Sequence, residues 1–267
     1  MARNARRTAA RAVGRGALPA AFAVLLAAEN AFPLRHRTRS RKRRYLANAG
    51  IAIAMGVASA IEKRAVHAAG TRLNAWMSPV RGTVRVPGWL SVGLKFLAMD
   101  CAYYLWHRLN HVNGYFWRFH AVHHMDPDLD VTTALRFHFG EILHSTAFRT
   151  VQLTVAGPSP RLRTTFDTVF ELCVLFHHSN LRLPPRIDRA LNAVTVTPRM
   201  HGIHHSVVRD ERNANYSAVF AWWDMLFGSL RLDIPQERLT IGVVPLPTYD
   251  TESVPTMLAK PFRRGLR

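Results

Sequence analysis

Residues 106–124 read WHRLNHVNGYFWRFHAVHH, and they place His107, His111, His120, His123 and His124 at spacings of three and four. On a helix, positions i, i+3 and i+4 share one face with Cβ atoms about 5–6 Å apart, so each cluster is expected to aim two or three imidazoles at one point. The pattern returns at 201–205, HGIHH, with His201, His204 and His205. Of the fourteen histidines only His36 and His67 lie outside the interval from His107 to His205. Imidazole suits iron, zinc, copper and nickel, and eight or more such nitrogens exceed what a single tetrahedral or octahedral ion can use. The spacing therefore predicts a dinuclear centre held by helices.

Two further segments belong with these clusters. RFHFGE carries Arg136, His138 and Glu141, and FHHSN carries His177, His178 and Asn180. His138 and one of the 177/178 pair bring the expected ligand set to ten, five per metal, with a position open for dioxygen or a bridging oxygen. His144 and His177 sit in apolar stretches where a hydrogen-bonded structural histidine serves equally well. Glu141, Asp100, Asp224 and Asn215 are expected to bond the outer ring nitrogens and so fix the tautomers of the ligands. GxSxG and HExxH are both absent, and neither HxxHH contains an acid, so hydrolysis lacks its usual nucleophile or base. Redox chemistry at iron is the better use of so many neutral nitrogens.

Charge and hydropathy suggest how this site is carried. The chain has 267 residues, 36 basic against 17 acidic, with a net charge of +19. The densest basic run, Arg35, Arg37, Arg39, Arg41, Lys42, Arg43 and Arg44, separates the apolar stretches Leu18 to Leu34 and Tyr45 to Ile61. Such a position suits a loop held on the cytoplasmic side of a membrane, and no nucleic-acid role is needed to explain the charge. The start, MARNARRTAARAVGRG followed by ALPAAFAVLLAA, reads as an uncleaved anchor. A third stretch, Val86 to Trp106, contains Lys95 and Asp100, and two more, Ile142 to Ala156 and Thr164 to Phe176, are joined by the turn signal GPSP. Counting crossings from a cytoplasmic arginine loop places every histidine cluster on the cytoplasmic side. Polar connectors such as MDPDLDVT and LRLPPRIDR lie between helices, and Cys101 and Cys173 form no framework of pairs.

The expected class is mainly α: a membrane-anchored helical bundle bearing a cytoplasm-facing, histidine-rich dinuclear metal domain. Its expected parts are a basic segment with anchor helices over 1–85, a catalytic domain over 86–232 and a tail over 233–267.

Taken together, DCAYYLWHRLNH, FWRFHAVHHMDPDLDVTTALRFHFGE, FHHSNLRLP, TPRMHGIHHS and NANYSAVFAWWDMLFGSL resemble the fatty acid hydroxylase and sterol desaturase superfamily of membrane-bound, histidine-rich diiron oxygenases, from about Leu97 to Phe227. By that resemblance the metal ligands and catalytic residues fall on His107, His111, His120, His123, His124, His178, His201, His204 and His205, with His138 a tenth metal ligand. Serine stands at 217 and 229, where glycine and threonine are more usual in the family, and neither position is a ligand.

The resemblance implies two iron ions, with zinc able to occupy the same nitrogens, and dioxygen as co-substrate. It also implies a lipid substrate that is hydroxylated or desaturated. Electrons would come from a separate b-type cytochrome, ferredoxin or reductase, because no haem, flavin or iron–sulfur motif is visible. The competing class is a histidine-rich membrane metal transporter or metal-binding protein, whose ligands would lie along a path inside the bilayer.

Overall fold

The computed structural model describes residues 2–58, 87–244 and 253–263, with side chains from residue 16 onward. His67 and the last residues of the 45–61 stretch lie outside the described residues. The described residues are mainly helical, and strand pairing among them is confined to isolated bridges such as Thr195 with Phe220 and Ser206 with Ile241. The helices are α1 (Ala2–Ala31), α2 (41–58), α3 (Gly88–Val112), α4 (Gly114–His124), α5 (Phe139–Ala156), α6 (Pro160–His178), α7 (Pro185–Asn192), α8 (Pro198–His204), α9 (Arg209–Arg212), α10 (Trp222–Leu226) and α11 (Val254–Ala259).

Local chemistry sets the helix ends that matter. The Asn113 side chain accepts hydrogen bonds from the amides of Tyr115 at 3.0 Å and Phe116 at 3.3 Å, so α3 stops and α4 starts within one residue, and their histidines stay close. Gly157, at φ 53°, closes α5 in the left-handed conformation that glycine adopts without steric cost. Ser159 then caps α6 by accepting from the Leu162 amide at 3.2 Å, with Pro160 at its first position. The GPSP hairpin expected from the sequence is thus present. Thr197 and Pro198 begin α8 in the same manner.

Apolar packing joins these helices in pieces. Met99, Leu162 and Phe166 form a core between α3, α5 and α6, extended by Phe96, Tyr103 and Phe170. Ile51, Val122 and Met257 join α2, α4 and α11. On α1, Leu18, Ala21, Phe22, Leu25 and Leu26 pack against Val131, Ala134, Val174 and Leu175. That stripe recurs at helical spacing, so the first apolar stretch buries one face against protein.

The expected membrane spans are not seen as such: among the described residues no helix is long and apolar enough to cross a membrane. Lys95 and Asp100 interrupt α3, and Asp100 is buried against protein, accepting from Trp223 Nε1 at 2.7 Å and from the amides of Phe220 and Val219 at 3.1 and 3.3 Å.

The arginine run is also more than a charged loop. Arg44 is buried, with its Nε and Nη2 donating to Asp126 at 2.7 and 2.8 Å and its Nη1 to Asp130 at 2.6 Å. Asn48 bridges this cluster, donating to Asp126 Oδ2 at 3.0 Å and accepting from Arg136 Nη1 at 3.0 Å. Asp128 accepts from the Thr38 and Arg39 amides, both at 2.7 Å. The segment MDPDLD, expected as a polar connector between helices, is one, and its acids are buried and keyed to residues 38–48. A buried guanidinium needs carboxylates to offset the loss of its water, and this segment supplies two, Asp126 and Asp130.

Candidate metal centre

The nine histidines of the expected ligand set converge into two adjacent groups. His107, His111, His120, His124 and His204 form one, and His123, His178, His201 and His205 the other, with the candidate ligand nitrogens of each group within 4.8 Å of one another. Each HxxHH motif serves both groups. On α4, His120 and His124 enter the group of five and His123 the group of four; on α8 and its C-cap, His201 and His205 enter the group of four and His204 the group of five. The expectation that one motif aims at one point is corrected here. Positions i and i+4 point together, whereas i+3 is rotated far enough to reach the neighbouring pocket.

The ring protons reveal what these groups can hold. His107 Nδ1 donates to Tyr216 O at 2.7 Å, His204 Nδ1 to Ala214 O at 2.7 Å, His178 Nδ1 to Val174 O at 2.8 Å and His123 Nδ1 to Arg136 O at 3.2 Å. A carbonyl oxygen only accepts, so the proton of each neutral ring sits on Nδ1 and Nε2 carries a bare lone pair. Burial keeps the rings neutral, holding His107 and His178 down to about 3 and pushing His111, His123, His124, His204 and His205 well below the usual histidine range.

The Nε2 atoms of His123 and His178 nevertheless face each other at 3.0 Å. With no proton between them, two lone pairs at that distance repel, and a cation is what makes the arrangement favourable. His204 Nε2, both nitrogens of His111, and Nδ1 of His124, His201 and His205 are likewise buried without a hydrogen-bond partner. Such orphaned nitrogens are costly unless they bind something. The donor set fits two transition-metal ions with imidazole ligands.

His138 is not brought in. Its Nδ1 accepts from the Gly140 amide at 3.0 Å and its Nε2 donates to Leu258 O at 3.1 Å, so it caps α5 and ties down α11. Both ring nitrogens are used, which removes it from the expected ligands, and the count is nine, split five and four. His144 lies in hydrogen-bond contact with the Tyr115 hydroxyl at 3.0 Å, outside both groups. His177 also falls outside the two groups, although its ring lies 4.1 Å from that of His201.

Of the acids and amide expected to orient ligand rings, Glu141 does so directly: its Oε1 accepts from His120 Nδ1 at 2.8 Å. Asp100, Asp224 and Asn215 touch no ligand ring. Asp224 instead accepts from the amides of Tyr216 and Ser217 at 2.8 and 2.9 Å. Asn215, in the left-handed conformation at φ 57°, donates to Met200 O and Arg231 O at 2.9 and 2.7 Å. Asp224 and Asn215 thereby hold the strip 214–217, whose carbonyls take the protons of His204 and His107. Backbone carbonyls carry no residue-type signature, so the sequence offered no signal for Ala214, Tyr216, Val174 or Arg136 in this role.

A cavity of about 300 Å3 opens beside the histidines. His107, His120, His123, His178 and His201 form one wall, and Met55, Tyr103, Trp106, Phe137, Ile142, Phe170 and Val174 make the rest largely apolar. Trp106 Nε1 donates to Ser145 Oγ at 3.1 Å, which holds α3 to α5 along this cavity.

The family model for fatty acid hydroxylase matches residues 92–229, which contain all nine clustered histidines. The chain belongs to the fatty acid hydroxylase family. Curated members of known name are similar to it over part of their length. An ornithine lipid hydroxylase from Rhizobium tropici is 31% identical over 175 residues, 65% of this chain and 50% of that protein. Alkylglycerol monooxygenase from Homo sapiens is 28% identical over 157 residues, 58% of this chain and 34% of that protein. A cholesterol 25-hydroxylase-like protein from Danio rerio is 28% identical over 171 residues, 60% of this chain and 65% of that protein. The chain thus spans about half the length of the first of these relatives and about a third of the second. No solved structure gives a significant match.

Proposed function

We propose that this member of the fatty acid hydroxylase family is an oxidoreductase that hydroxylates a lipid, using dioxygen and electrons from a separate protein at a membrane surface. The observation that carries the reading is the pair of unprotonated Nε2 atoms of His123 and His178 at 3.0 Å, within one of two adjacent imidazole groups that border an apolar cavity. The names of the relatives, hydroxylases and monooxygenases of lipids, support hydroxylation over desaturation.

Iron in both groups would supply dioxygen activation, placing one oxygen atom on an unactivated C–H bond while the other leaves as water with two electrons and two protons from outside. The chain's own residues do the rest. Tyr103, Trp106, Phe137 and Phe170 line a slot suited to a hydrocarbon chain and exclude water from it. Tyr216 O, Ala214 O, Arg136 O, Val174 O and Glu141 Oε1 hold the ring protons on the outer nitrogens, so the inner nitrogens stay available without a proton being moved at the time of binding. Imidazole ligands bring no negative charge to offset two cations, and Glu141, bonded to His120, is an acid placed beside them.

Comparative lipid mass spectrometry of cells with and without the full chain tests the proposal. A product heavier by one oxygen, absent when His123 is replaced by Ala, is expected. A product lighter by two hydrogens would reassign the chemistry to desaturation. Metal flux across proteoliposomes with no lipid product would overturn the enzyme reading in favour of transport.

A further inference from the structure

A second, basic cavity, separate from the one the histidine groups border, lies where the chain passes from α1 to α2. Pro33, Arg35, His36, Arg37, Arg39 and Arg41 line about 270 Å3. The segment is anchored, since Arg35 N donates to Asn180 Oδ1 at 2.9 Å and the Thr38 and Arg39 amides donate to Asp128 at 2.7 Å.

Two of its guanidinium groups, those of Arg35 and Arg37, are incompletely used. Arg35 Nη1 donates to Gln236 Oε1 at 2.7 Å and to Pro198 O at 3.2 Å, but its Nε and Nη2 are closed off from solvent without an acceptor. Arg37 Nε and Nη2 are in the same condition, and the nearest carboxylate oxygen to Arg37 is Glu29 Oε1 at 3.8 Å, beyond hydrogen-bond reach. The other acids nearby are already engaged: Asp126 and Asp130 by Arg44, Asp128 by backbone amides, and Glu29 Oε2 by the amides of Asn180 and Val131. Burial outweighs the attraction of Glu29 and draws Arg35 down to about 10, as befits a cation short of negative charge. Two guanidinium forks with orphaned N–H groups match the paired oxygens of a phosphate.

The surroundings indicate what carries that phosphate. Phe32 is 66% exposed beside the cleft, and Leu46, Ile53 and Val57, 64%, 69% and 59% exposed, recur at seven and four residues along one face of α2. The chain leads from the cleft straight into α2, so an anionic group seated there would be followed along the chain by exposed apolar side chains, as a headgroup site continuous with a lipid-facing helix requires.

We propose that this arginine cleft binds the phosphate of an anionic lipid headgroup, with the exposed face of α2 against the lipid surface. The site reaches the histidines through Arg35. A Cβ at position 202 would stand 2.5 Å from Arg35 Nη1, so glycine in HGIHH leaves room for the guanidinium that braces α8. An occupied cleft would therefore hold Arg35 against the helix that carries His201 and His204.

Native mass spectrometry of the full chain in neutral detergent, titrated with phosphatidylglycerol, phosphatidylcholine or inorganic phosphate, tests this without any turnover. Phosphatidylglycerol is expected to be retained over phosphatidylcholine, and Arg37→Gln is expected to weaken it about fivefold, the worth of one basic side chain at an anionic lipid surface. Arg41→Gln, at an exposed position, gives the same direction should Arg37→Gln fail to fold. Arg161→Gln, exposed at the first turn of α6 and so at the opposite end of that helix from the Asn180 that bonds Arg35, is expected to change nothing. Equal retention by wild type and both cleft variants, or an equal loss in Arg161→Gln, overturns the site. Binding of inorganic phosphate alone, with no preference for the lipid, overturns the lipid assignment.

Discussion

His124 and His205 stack face to face, ring centroids 4.2 Å apart and planes inclined by 18°, with His124 in the group of five nitrogens and His205 in the group of four. The two pockets share this wall, and each of the two HxxHH motifs spans it. The centre is thus a pair of neighbouring sites built from interleaved helices.

If each group holds its own ion, His204→Ala and His123→Ala should each lower the metal content from about two ions per chain to about one, because each removes a ligand from a single pocket. Elemental analysis of the purified variants decides this. Retention of both ions in both variants would show that these rings are not ligands, and loss of both ions in each would show one cooperative centre.

Glu141 is expected to act through His120 and not on substrate. Glu141→Gln keeps an oxygen near His120 Nδ1 but removes the charge, and a loss of about 10–100-fold in metal affinity or activity should follow. Competition with a chelator measures it. Glu141→Asp, which restores the charge, should recover part of the affinity, and equal affinity in all three proteins would assign Glu141 a purely structural place.

Arg44→Ala should destabilise the fold by about 3–5 kcal/mol, since it leaves the Asp126 and Asp130 carboxylates buried without their partner. Arg44→Lys should recover only part, because one ammonium cannot reproduce the fork that bonds both acids. Urea denaturation of the metal-free chain at neutral pH provides the comparison, and an Arg44→Ala midpoint equal to wild type would contradict the buried pairing.

Acid should unfold the metal-free chain in a defined window. His107 and His178, held near 3 by burial, stay neutral in the folded state while the unfolded chain takes up protons below its ordinary value of 6.5. Stability is therefore complete above 6.5 and falls from there toward 3, by about tenfold in the folding equilibrium per pH unit for each such ring. Asp126 adds a later loss. Burial would raise it, but the charge and hydrogen bonds of Arg44 hold it below the usual 3.8, so its contribution is present above 3.8 and disappears as the pH falls through the folded value. Denaturation midpoints that stay level from pH 7 to pH 4 would contradict the neutral, buried rings.

Spacing made nearly the whole set of clustered histidines legible on helical faces. The intervals 107/111, 120/123/124 and 201/204/205 are helical repeats, and helical geometry is local, so residue order suffices to place those rings on common faces. Tertiary structure decided everything that depends on partners far along the chain. Arg44 meets Asp126 across 82 residues and His178 meets His123 across 55. Residue types in isolation name no partner for Arg44 and leave the choice between His177 and His178 open. Counting five ligands per metal makes His138 a tenth, yet the Leu258 carbonyl, 120 residues away, takes its second nitrogen. The outer partners of His107 and His204 are backbone carbonyls, which every residue possesses, so only the folded path of 214–216 could reveal them. Local periodicity is written in the order of side chains. The pairing of lone pairs, ring protons and buried charges is set by which distant segments the packing brings within 3 Å.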